Sequence, residues 1–243
     1  MTTLALSSFA IIAFAALIHA SYQLSVSVLT LLSGHSLGRK TAHKKILRLI
    51  ISFILGTLLL TTLLISTVTY YFTLYIGESQ QTEQLVAAVV SGLVAGMGFA
   101  TWIFYYRRGD GTALWLPRNF AKYTSSRAKA TKSSVEAFGL GMFSVVAELI
   151  FIFAPLVAAS LAISALPTQY WQLAGIATYV VLSILPLAAM FFIVGGGHRI
   201  SKLQAWREKN KLFLQFVSGG SLIILAVFIF VDRVLGISFY GVF

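Results

Sequence analysis

Six long apolar stretches joined by short polar connections govern what this chain can fold into. They run from Leu4 to Gly38, Leu49 to Gly77, Leu85 to Tyr106, Phe138 to Leu166, Tyr170 to Gly197 and Leu212 to Val231. About 20 apolar residues at 1.5 Å rise cross the hydrocarbon of a bilayer, so each stretch suffices for one crossing. The chain reads as an all-α integral membrane protein of six transmembrane helices. Six spans and their connections use up 243 residues, so a single transmembrane domain covers 1–243 with no room for a soluble one. Only 10% of the residues are charged, against about 25% in a soluble domain. The first stretch exceeds one crossing and must tilt, break or overhang.

The connections alternate in charge, and this sets the orientation. Arg39, Lys40, Lys44, Lys45 and Arg48 lie between spans one and two. Arg107, Arg108, Arg118, Lys122, Arg127, Lys129 and Lys132 lie between three and four, and Arg199, Lys202, Arg207, Lys209 and Lys211 between five and six. Seventeen of the 18 basic residues thus fall in alternate loops. The positive-inside rule makes those loops cytoplasmic and puts both termini outside, N-out and C-out, in a plasma or inner membrane. The net charge of +11 is then a topology signal. No aromatic pattern interleaves the charges as nucleic acid binding would need. The stretch from Trp115 to Lys132 reads as an interfacial basic segment on an anionic leaflet. Met1 to Gly38 carries no Lys or Arg, so it is expected to be a mature first span, not a cleaved signal peptide.

An odd number of spans in each half makes the halves run oppositely across the membrane. Half one is 1–106, a cytoplasmic basic loop is 107–135, and half two is 136–243: two inverted three-helix halves. Laying span one on span four sets Phe14-Ala15-Ala16-Leu17-Ile18-His19 beside Phe143-Ser144-Val145-Val146-Ala147-Glu148. Each half then has its deep ionisable residue at the same position.

Glu148 stands out, because a carboxylate deep in an apolar span costs several kcal/mol unless it is protonated, paired or facing a polar cavity. Ser144 and Pro155 share its helix face, and a proline frees the carbonyl four residues earlier. Broken or kinked helices beside polar groups are how many transporters build a midplane site; the bland counterpart is a protonated Glu acting as interhelical glue. On span one, His19 and Gln23 lie four apart with Tyr22 adjoining, a face suited to a cation, a proton or a zwitterion, or to a satisfied core. The hydroxyls of Thr57, Thr61, Thr62, Ser66, Thr67 and Thr69 either line a polar path or bond their own helix. Gly92 and Gly96, with Gly98 nearby, read as a close-packing face, as does Ser218-Gly219-Gly220-Ser221. Gly195-Gly196-Gly197-His198 ends span five as a hinge or a C-cap. Asp232 and Arg233 are expected at the water-exposed outer end of span six. His35, His43 and His198 match no compact metal-ligand spacing, which leaves metal binding open. There are no cysteines, and hence no disulfide or thiolate site.

The layout resembles the LysE transporter superfamily of small six-span carriers. The resemblance rests on 3+3 inverted halves, outside termini, the long loop after span three, central Pro155, and the basic link into Leu212-Phe213-Leu214-Gln215-Phe216-Val217-Ser218-Gly219-Gly220. It implies a carrier. The paired cysteines of the CcdA-type branch are missing, the cation exporters' first-span acidic residue is replaced by His19, and the amino-acid exporters' first-span motif is absent.

These features lead to an expected secondary transporter or exporter of a small solute or cation, rocking one half against the other around Glu148 and His19. Its partners would be the lipid bilayer, a small cation, proton or amino-acid-like solute, and a second copy in a homodimer; no nucleic acid and no cofactor are implied. The alternative is a membrane structural or assembly subunit docking a partner through the basic loops. No His-Glu-x-x-His, Gly-x-Ser-x-Gly or Walker A pattern occurs, so an enzyme is not expected.

Overall fold

The computed structural model describes residues 3–22, 28, 40–76, 80–105, 118–196, 205–206 and 208–236, and among them there is no strand. The principal helices are α1 (Thr3–Ser21), α2 (Lys40–Ile76), α3 (Gln80–Phe104), α4 (Arg118–Ala130), α5 (Ser134–Ser164), α6 (Gln169–Ser183), α7 (Leu185–Gly195) and α8 (Lys211–Ile229), with a π-helical turn at Phe230–Val234. Five are long and apolar enough to cross a bilayer alone, and α6 with α7 makes a sixth if that bent pair is one span.

Local chemistry sets several boundaries. The overlong first stretch breaks: α1 ends at Ser21, and the Tyr22 N–H donates to the His19 carbonyl at 3.1 Å. Helix α2 has 37 residues, about 55 Å at 1.5 Å each. Its first turns, with Lys44, Lys45 and Arg48 exposed, therefore overrun a hydrocarbon layer of about 30 Å. Helix α5 starts at a capping box, in which Ser133 Oγ accepts from the Glu136 N–H and the Glu136 carboxylate accepts from the Ser133 N–H. That pairing satisfies two orphan donors of the first turn.

The break expected at Pro155 falls elsewhere. Helix α5 runs through Pro155 without interruption, whereas the chain bends by 44° between α6 and α7. Pro186 lies in the first turn of α7, where its missing N–H cannot bond the Leu182 carbonyl and its ring crowds that carbonyl. At the far end, Gly195 closes α7 and Gly196 caps it with its N–H on the Phe192 carbonyl at 2.9 Å. Gly197 lies outside the described residues.

Helix α5 is the central post, with 78% of its span window buried against 33–50% for the other four. It packs on α1, α2 and α3, while α1 packs on α5, α6 and α8, and α3 pairs with α8. Two helix pairs approach at backbone distance. On α2 and α5, a Cβ at Gly56 would strike the Phe138 carbonyl and one at Gly141 the Phe53 carbonyl; on α3 and α8, Gly98 abuts Gly219 and Ile223. Gly92 and Gly96, which the spacing marks for close packing, face open space. Gln215 Nε2 donates to the Thr101 and Trp102 carbonyls at 3.0 and 2.7 Å. Trp102 stacks on Phe216 and donates its Nε1–H to the Phe216 carbonyl at 2.9 Å.

Each close pair joins one helix from residues 1–106 with one from 136–243. Among the described residues, contacts of α1 with α2 and α3 are sparse. Among the described residues, the helices of 1–106 and those of 136–243 therefore interleave.

Arg233 also departs from expectation. The π-helical turn carries its side chain inward, only 5% exposed, within 3.0 Å of Asp232 and 3.5 Å of Glu83 at the start of α3. Its Nη2 donates to Ser8 Oγ on α1 at 2.6 Å. A residue expected at the water-exposed end is thus a buried tie between α8, α3 and α1, because water leaves no other partner for a guanidinium folded onto apolar helices.

Candidate functional site

A small, partly open cavity lined mostly by buried residues lies where α1, α2, α5 and the α6–α7 break converge. Its lining includes His19 and Tyr22 from α1 and its end, Thr57 and Thr61 from α2, and Glu148 from α5. Ser183, Ile184, Pro186 and Leu187 close it from the break. The free space is about 20 Å³, room for about one water molecule. Glu148 is 2% exposed and His19 6%, so neither faces lipid.

The polar partners are specific. His19 Nδ1 and the Tyr179 hydroxyl share a hydrogen bond of 2.9 Å, and Glu148 lies within electrostatic reach of Tyr179. Tyr22 shares a 3.3 Å hydrogen bond with Thr101 on α3 and stacks on Phe151, one turn beyond Glu148. Thr57 donates to its own helix at the Phe53 carbonyl, 3.1 Å, with the Gly141 carbonyl of α5 at 3.4 Å. Thr61 differs: its hydroxyl is fully buried, has no hydrogen-bond partner, and lines the cavity. An unmet buried hydroxyl costs roughly 1–3 kcal/mol, so Thr61 points to a polar occupant.

Of the residues singled out in the sequence, His19, Tyr22 and Glu148 come together at this cavity. Ser144 is buried beside it and donates its hydroxyl to the Gly141 carbonyl at 2.7 Å, without lining the space. Pro155 is buried in α5 outside the lining, as are Gly195 and Gly196 at the end of α7. Gln23, His35 and His198 lie outside the described residues. The span-two hydroxyls divide, with Thr57 and Thr61 at the cavity and Thr62 bonded to the Leu58 carbonyl of its own helix. Tyr179, Ser183 and Pro186 were missed. The signal was a proline within an apolar run, which marks a break, about two turns after a tyrosine whose hydroxyl must find a partner when buried.

No group of three or more His, Asp or Glu residues able to hold a metal ion occurs among the described residues. Fold and site together define an all-helical, multi-pass membrane protein with a small buried polar centre between its helices. No family model, curated protein or solved structure matches the chain.

Proposed function

We propose that the protein is a small secondary transporter or exporter whose site lies near the membrane midplane, between spans one and four. The observation that carries this reading is the meeting of the buried His19 and Glu148, one from each half, at a small cavity beside a broken helix. Ionisable side chains inside a membrane are expensive and mark functional sites by default. Inverted three-helix halves are part of the same proposal. Exchanging span one with four, two with five and three with six turns the principal helix contacts into one another: α2 on α5 becomes α6 on α1, and α3 on α5 becomes α8 on α1. The charge alternation supports N-out and C-out in a plasma membrane. The likeness of layout to the LysE superfamily belongs with this proposal and adds no substrate.

Because the halves interleave, the moving bodies we assign are the α3–α8 pair and the group of α1, α2, α5 and α6–α7. The test is flux in proteoliposomes under imposed gradients of protons, sodium, potassium or magnesium, followed with entrapped indicator dyes. Wild-type protein is expected to carry at least one of these above protein-free vesicles, and Glu148→Gln to lose it while melting as wild type does. Undiminished flux in Glu148→Gln would remove Glu148 from the site. No flux of any kind, with a stoichiometric partner retained in mild detergent, would favour the assembly subunit instead.

A further inference from the structure

We infer that the cavity holds one water molecule bridging Glu148, Thr61 and His19, and that the species this site accepts and passes on is the proton. The inference rests on the reading of Glu148 and His19 as the functional site, and it names what that site takes. Three independent features support it: the room, the unpaired hydroxyl and the nitrogen chemistry.

The space of about 20 Å³ fits about one water, which needs two to four polar neighbours to stay in a buried site. Thr61 supplies one whose hydrogen bonds are unmet. Other membrane threonines, among them Thr57, Thr62, Thr73, Thr101 and Thr178, donate to the carbonyl four residues earlier. Thr61 does not, and its hydroxyl is left for the cavity.

On His19, the Tyr179 hydroxyl occupies Nδ1, so Nε2 is the ring atom left to exchange a proton. A proton on the Glu148 carboxyl passes to the water oxygen as the water gives one of its own to His19 Nε2. The carboxylic acid becomes a carboxylate and the imidazole an imidazolium. The O–H bond broken on Glu148 is replaced by an N–H bond on His19, and the pair keeps zero net charge before and after. No uncompensated charge forms in the apolar interior, where it would be costly. Imidazole suits protons and transition metals and is a poor ligand for alkali ions. A transition metal lacks a third His, Asp or Glu ligand among the described residues. The titratable groups turned to this centre are His19 and Tyr22 from α1 and its end, and Tyr179 from α6, with Tyr105 packed behind Tyr22 and Phe151. Helices α2 and α7 place only hydroxyl, proline and apolar groups in the lining.

The test is infrared spectroscopy of the full chain in liposomes at neutral pH, in H2O and D2O. A protonated-carboxyl absorption that moves on deuteration is expected in wild type, lost in Glu148→Gln and shifted in frequency in Thr61→Val and Tyr179→Phe. Absence of the band in wild type overturns the inference, as does its loss on adding sodium, potassium or lithium chloride at constant pH. If Glu148→Gln does not fold, Thr61→Val decides: an unmoved band overturns the water bridge. The band reports on Glu148 whether or not the protein moves a solute, so failure of the flux assay and failure of this inference are separate results.

Discussion

A methyl group added at Gly56 or Gly141 would meet a carbonyl of the facing helix, whereas one added at Gly92 would meet nothing within 4 Å. Membrane helices gain little from apolar contact alone, since lipid is as apolar as leucine, so close backbone approach through small residues carries much of their association. Gly141→Val is therefore expected to lower stability by roughly 1–3 kcal/mol through overpacking, read as a fall in melting temperature in detergent. Gly92→Ala should change stability by no more than about 0.5 kcal/mol, and equal damage from the two would refute the pairing of α2 with α5. Spacing on one helix cannot show which glycine meets a neighbour: of the positions it marks for packing, Gly98 and Gly219 meet across α3 and α8 while Gly92 and Gly96 face open space, and Gly56 and Gly141, which it does not mark, carry the α2–α5 contact. Glu148 was legible for the opposite reason. The cost of a carboxylate in an apolar span does not depend on knowing the neighbour.

Two ends of elements depart from a plain reading of apolar runs, and both do so through backbone irregularity. The fifth apolar run breaks at Pro186 beside the cavity, and α8 loosens into a π-turn that folds Arg233 inward. Pro155 is the proline that the sequence marks for a break, yet α5 is buried from Ala154 to Ile163 and stays helical through it, as neighbouring helices allow in membrane interiors. At the π-turn, Arg233 holds Asp232, Glu83 and Ser8 together. Arg233→Met would leave Asp232, whose side chain is 10% exposed, without its counter-ion, at a cost of about 3 kcal/mol for a broken buried pair. Adding Asp232→Asn should restore part of that loss. Thermal unfolding of the single and double variants checks both, and a single variant as stable as wild type would show that the tie contributes nothing.

For the whole molecule, the long apolar helices are the most legible feature, because a row of apolar residues acts without reference to any partner. The order in which the helices pack is the least legible, since apolar faces carry no pairing signal. Orientation can be tested directly in this chain, which has no cysteine of its own, so each introduced thiol reports on one place. Lys129 and Tyr170 flank α5 at opposite ends and are both exposed, Tyr170 by 86%. Tyr170→Cys is expected to react in intact cells with a membrane-impermeant maleimide, and Lys129→Cys only after the membrane is opened. The reverse pattern would invert the molecule and place its basic loops outside. Labelling of both from one side would mean that α5 does not cross the membrane, and the buried Glu148 would then need another account.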